Sequence, residues 1–181
     1  MIDQPTPRKL KVDLNELELA FENSSWEIAY FLDKETGSVL MVQESTFRDL
    51  ENIYDEYDEE EEEDSFNLQQ ALDELDLEDW ERQVLLEADQ VRAYLDERYL
   101  RVPMADSHEG FRDMELFIET VQNSALKSRL SQSLRGHSPF RRFKDTLQGF
   151  PKENERWFDF KADQMKQRTK TWLADEGIEI E

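Results

Sequence analysis

Between residues 120 and 144 the chain carries six cationic side chains, Lys127, Arg129, Arg135, Arg141, Arg142 and Lys144, and not one carboxylate. The chemistry open to such a segment is anion recognition, because guanidinium and ammonium groups make charge-assisted hydrogen bonds to phosphate or carboxylate. Ser138-Pro139 reads as an N-cap followed by proline at the first helical position. Arg141, Arg142 and Lys144 would then follow a helix start whose free N–H groups also favour an anion. Neutralisation of neighbouring acids accounts for the same cations and needs no ligand.

A second constellation is His108 with Glu109 and Arg112. His108 and Arg112 stand one helical turn apart, so a proton-active imidazole could sit beside a fixed cation, with Glu109 or Asp113 orienting it. Ser107-His108-Glu109 is not a triad, since adjacent residues point apart and triad members must converge. Helix capping and surface pairing explain these residues as well. His137 beside Gly136 reads as a turn residue near the last carbonyls of a helix.

Charge divides unevenly along the chain. Of 44 acids and 22 Lys or Arg, residues 1–100 hold 30 acids and 8 bases, and residues 101–181 hold 14 of each. The net charge of -22 therefore belongs to the first part. At physiological salt the Debye length is about 8 Å, so distant carboxylates do not forbid a local cationic face from binding phosphate. The run from Asp55 to Asp64 is acidic except at Tyr57, and it lacks the glycine and ligand spacing of a calcium loop. It reads as an acidic linker over 54–66.

With no cysteine, disulfides and thiolate chemistry are excluded, and two histidines are too few for an ordinary structural zinc site. We expect no metal and no cofactor. No apolar run is long enough for a membrane span or a leader h-region, so a cytoplasmic setting and no membrane partner are expected. Aromatic residues make up 11% of the chain, enough for a core despite 36% charged residues.

The elements that must position these groups follow from periodicity and caps. Residues 1–11 look frayed; Asp13 caps a short helix bearing Leu14, Leu17 and Phe21. Trp26 to Leu32 and Val39 to Val42, joined by Asp33 to Ser38 with Gly37 left-handed, form a hairpin. Ser45-Thr46 open a helix with Phe47, Leu50 and Ile53. Asn67-Leu68 starts another, and Asp76 to Asp79 cap a longer one with Trp80, Val84, Ala88, Val91 and Leu95 inward. Leu100, Val102 and Met104 suggest an edge strand ending near Pro103.

Asp106 or Ser107 caps a helix with Phe111, Met114, Phe117, Ile118 and Val121 inward and Asp113 towards water. Ser124 begins a helix with Leu126, Leu130 and Leu134 inward, ended by Gly136. Phe140, Phe143 and Leu147 are the inner side of the next. A last helix over Lys152 to about Asp175 places Phe158, Met165 and Trp172 inward, widened by Trp157, Phe160 and Leu173, although Trp157 and Phe160 could form an exposed patch. The expected class is α+β, mostly helical, with a hairpin plus one strand as a small antiparallel sheet in a single domain over 1–181.

The text SHEGFRDMELFIETV, then HSPFRRFKDTL, then ERWFDFK with Trp172-Leu173, resembles uncharacterised protein family 0158, a bacterial group. WEIAYFLDKETGSVLMV and YLRVPM are similar to it too, so the resemblance covers most of 24–178. It implies one domain and a bacterial cytoplasmic setting, and no reaction.

The functional expectation is a non-catalytic binding or regulatory protein whose C-terminal half recognises nucleic acid, a nucleotide or a phosphorylated ligand through the six cations. One alternative is a phosphoester hydrolase or transferase using His108 and Glu109 with an arginine clamp. The other is a protein adaptor or nucleic-acid mimic acting through the acidic half.

Overall fold

The computed structural model describes residues 8–58 and 67–181. They cluster into two compact units: one runs to Met104 and takes in Ile178–Glu181, the other is Ala105–Gly177. Eight helices, one three-stranded antiparallel sheet and one parallel strand pair are found among the described residues. The class is α+β and mostly helical.

In the first unit β1 (Arg8–Leu10) pairs in parallel with β5 (Ile178–Ile180), Arg8 opposite Ile178 and Leu10 opposite Ile180. Residues 8–11, expected to fray, are thus held by the far end of the chain, and Leu10 and Val12 are buried. Residues 1–7 lie outside the described residues. Helix α1 (Leu14–Phe21) starts where Asp13 accepts from the N–H groups of Asn15 and Glu16, and it buries Leu17, Ala20 and Phe21.

Strands β2 (Ile28–Asp33) and β3 (Val39–Gln43) form the expected hairpin, with Ile28 opposite Gln43 and Leu32 opposite Val39. Gly37 turns it at φ 77°, and a Cβ there would meet the Lys11 carbonyl oxygen at 2.0 Å, so the turn admits no side chain. Strand β4 (Tyr99–Arg101) lies on the other side of β2, Phe31 opposite Arg101, as an edge strand. One sheet face, Ala29, Phe31 and Val42, packs on Leu50 of α2 (Glu44–Asp58), on Leu68 and Leu72 of α3 (Leu68–Glu74), and on α4 (Asp79–Ala93).

Two expectations change here. The acidic linker placed at 54–66 is helical up to Asp58: the Tyr54 hydroxyl donates to Asp89 at 2.9 Å and Arg92 lies over its ring, which holds the last turns against α4. Residues 59–66 lie outside the described residues. On α4 the inner stripe is Leu85, Ala88 and Val91, while Trp80, Val84 and Leu95 are exposed. Steps of three instead of four rotate the buried face, and Leu95 lies beyond the C-cap at Tyr94.

The hairpin turn is clamped by an ion pair whose carboxylate, Asp33, is buried. Arg98 donates through two nitrogens to the two oxygens of Asp33, at 3.1 and 2.7 Å, and reaches Glu35 at 3.1 Å. Burial raises the Asp33 pKa, but the Arg98 guanidinium and the Glu35 N–H outweigh it, so the carboxyl titrates below its usual value. A depressed folded-state pKa adds stability above the unfolded value of about 3.9, lost as pH falls through the folded value. We expect the first unit to lose stability below about pH 4, and an Arg98→Gln variant to lose less over that window, in denaturation followed against pH.

The second unit is four helices, α5 (Ser107–Thr120), α6 (Ser124–Ser133), α7 (Pro139–Gln148) and α8 (Pro151–Asp175). Its core joins Met114, Phe117 and Ile118 of α5 and its C-cap Val121 to Leu126, Leu130, Phe143, Leu147 and Trp157. The Phe117 ring meets Trp157, Phe160 and Phe143 edge-on at centroid distances of 5.3, 5.6 and 6.2 Å. Phe158 and Phe140, expected inside, are exposed, and Trp157, Thr169 and Leu173 are the buried residues of α8. Trp157 takes the inner position because Phe117 and Phe143 accept its ring.

Candidate anion-binding site

Helices α6 and α7 carry the six cations, and their junction decides where each one goes. Asn123 caps α6 by accepting from the Leu126 N–H, and Gly136 leaves α6 at φ 92°. The final carbonyls of α6 then find a donor across the turn: the Arg142 guanidinium donates to the Arg135 and Gln132 oxygens. Positive charge at a helix C-terminus also suits the backbone dipole. Arg142 is therefore a cap that pins α7 to α6.

The expectation of six cations gathered on one open face is not what the contacts describe. Lys127 donates to the Glu119 carbonyl of α5 at 3.2 Å, whereas Arg129 lies over the Phe150 ring at 5.6 Å, on the side of the α7–α8 junction. Leu126 and Leu130 are buried between these flanks. Arg141 has Asp145 at 3.8 Å, with both side chains largely in water. Arg135 and Lys144 are exposed and make no ion pair with any described residue. Arg141 and Lys144, three residues apart, share one face of α7, and Arg142 holds the backbone of Arg135 beside the start of that helix.

Ser138 takes a left-handed conformation, φ 56° and ψ 52°, and its hydroxyl makes no capping bond. The expected N-cap needs an extended backbone to aim its oxygen at the first turn. With Pro139 lacking an N–H, the N–H groups of Phe140 and Arg141 stay without a side-chain acceptor.

His108, Glu109 and Arg112 turn to different neighbours. The His108 side chain is 94% exposed, and its Nδ1 lies 3.0 Å from Asp106, whose carboxylate also accepts the His108 N–H at 2.8 Å. Those two contacts hold the Asp106 carboxyl below its usual pKa. Glu109 faces Arg168 at 3.3 Å. Arg112 is exposed and has no ion pair among the described residues. A general acid and base must share a reacting atom, and these contacts give Glu109 to a guanidinium instead. His137 is exposed in the α6–α7 turn.

Arg168 is the residue that sequence reading passed over. It bonds Asp113, which was expected on the wet side of α5 and is instead 3% exposed. The signal was available: Asp113 stands one turn before Phe117, on the edge of the inward stripe. Trp157 is buried and Phe160 partly so, which leaves Phe158 as the outward aromatic of that trio.

A family model, the Uncharacterised protein family (UPF0158), matches residues 74–180. The chain belongs to this family. The UPF0158 match takes in α4 to α8, with the segments around His108, Ser138 and Trp157, and leaves the β2–β3 hairpin outside. No curated protein and no solved structure matches the chain. No helix of the described residues is long and apolar enough to cross a membrane.

Proposed function

We propose that this UPF0158 protein is a non-catalytic binding or regulatory protein whose helical unit recognises an anionic partner through Arg135, Arg141 and Lys144. The observation that carries the reading is the separation of charge and contacts. Residues 105–177 hold 13 Lys or Arg and 12 Asp or Glu in a chain of net charge -22, so cations concentrate in this unit. Of the six between 120 and 144, Lys127, Arg129 and Arg142 already serve carbonyls or a ring, and the other three are left in water around one helix junction.

The ligand class is phosphate-bearing: nucleic acid, a nucleotide or a phosphorylated partner. Exposed guanidinium groups beside unfilled N–H groups at the start of α7 suit such oxygens. A bacterial cytoplasmic setting, which the resemblance implied, belongs to the same proposal.

Fluorescence anisotropy of labelled RNA, DNA and ATP against the full chain tests it at low and moderate salt. With three cations on duplex phosphates, log affinity against log salt should slope by about -3, at ~0.9 per contact. The triple variant Arg135→Gln, Arg141→Gln, Lys144→Gln is expected to flatten that slope and keep the fold, since all three residues are exposed. Salt-insensitive binding, or equal binding by the variant, would reject the assignment.

A further inference from the structure

The second unit has a groove that no cation of α7 borders. It has a volume of about 520 Å³, and its walls are the beginning of α6, through Asn123 and Leu126, and the beginning of α8, through Phe150, Pro151, Lys152 and Glu153. Leu126, Phe150 and Pro151 make an apolar floor. Glu153 is paired with Arg156 at 2.6 Å, which offsets its charge. Of the lining residues Lys152 alone is left with an unbalanced charge, exposed and without an ion pair among the described residues, and a second cation, Arg129, lies over the ring of Phe150, which lines the groove.

The beginning of α8 is also incomplete. Its N-cap is Phe150, which has no side-chain oxygen to offer, and proline occupies the first position. The first described bond of the helix across this junction runs from the Asn154 N–H to the Phe150 carbonyl at 2.9 Å. The N–H groups of Lys152 and Glu153 consequently have no side-chain acceptor among the described residues, where Ser, Thr, Asp or Asn would normally supply one.

We propose that this groove binds an acidic peptide segment of a partner protein. One apolar side chain of the peptide lies on Leu126, Phe150 and Pro151. A neighbouring carboxylate meets the Lys152 ammonium and accepts from the Lys152 and Glu153 N–H groups, capping α8 in trans. Charge complementarity selects the occupant: an apolar floor beside a net positive rim fits an apolar residue flanked by Asp or Glu.

A nucleic-acid strand fits less well, because it needs a row of cations at phosphate spacing and open rings for stacking. Here the lining holds one lysine, Lys152, and Arg129 already covers Phe150. This inference goes beyond the phosphate reading, since it concerns other residues and another class of partner.

The test uses the full chain and a fluorescein-labelled peptide in which one Phe is flanked on each side by Asp and Glu. Anisotropy should show saturable binding that weakens about tenfold or more when the peptide Phe is replaced by Ala. Lys152→Glu, at an exposed position, should weaken it about tenfold while amide exchange across α8 stays unchanged. The amide resonances of Lys152 and Glu153 should move on binding. The triple variant at Arg135, Arg141 and Lys144 should keep the peptide affinity, so loss there alone would assign the binding to α7 and overturn the groove. Equal affinity for the Ala peptide, no effect of Lys152→Glu, or equal shifts of the same amides with a DNA oligonucleotide or inorganic phosphate would each overturn it as well.

Discussion

Replacing Phe117 by alanine is expected to cost the second unit about 3–5 kcal/mol, a large part of the roughly 5–15 kcal/mol that stabilises an ordinary domain. The ring is 1% exposed and lies edge-on to Phe143, Trp157 and Phe160, which come from two other helices. Its removal takes away the transferred area, opens a cavity and breaks three aromatic contacts at once. Phe117→Leu keeps much of the volume and should cost clearly less. Guanidinium denaturation gives the magnitude, and amide exchange across residues 105–177 assigns it to this unit. A loss below about 1 kcal/mol for the alanine variant would contradict the packing described.

Arg168→Met is expected to be nearly as damaging, at about 3–5 kcal/mol, because it leaves the Asp113 carboxylate buried without its partner. The energetics of the pair are asymmetric. Two charges withdrawn from water largely cancel their attraction, whereas one withdrawn alone has nothing to offset its lost hydration. Combining Arg168→Met with Asp113→Leu should therefore recover most of the loss. Denaturation of both single variants and the double variant forms the cycle that measures the coupling, and strictly additive losses would refute it.

The local signals of this fold were open to reading because they are carried by neighbours in sequence. Asp13, Asn67 and Asp106 each accept the N–H groups of the helix that follows. Gly37, Gly136 and Gly177 each take the positive φ that their turns need. The phase of a helix is harder, as α8 shows: Trp157 and Phe158 are adjacent and both aromatic, and rings on α5 and α7 decide between them. The β1–β5 pair was hidden for the same reason, since three-residue strands more than 160 residues apart leave no periodic trace.

The cationic segment was legible as composition and not as geometry. The absence of acids between 120 and 144 says nothing about carbonyls, yet carbonyls take Lys127 and Arg142. What turns Arg142 from a ligand contact into a cap is the left-handed Gly136 and Ser138 between the two helices, which returns the chain so that a residue seven positions on reaches Arg135. Asp113 was lost to its letter: an acid at the margin of an apolar stripe was given to solvent, when a guanidinium 55 positions later was there to receive it.

The boundaries of the family match run across hydrogen-bonded ladders. The stretch 74–180 contains two strands, yet Tyr99–Arg101 finds its neighbour at Phe31–Asp33 and Ile178–Ile180 finds its neighbour at Arg8–Leu10, both upstream of residue 74. A fragment cut to those limits would carry two raw strand edges and a severed half of the first hydrophobic cluster. The shared segment is in this chain a portion of a tertiary structure and not a building block, and its excision would invite edge-to-edge association.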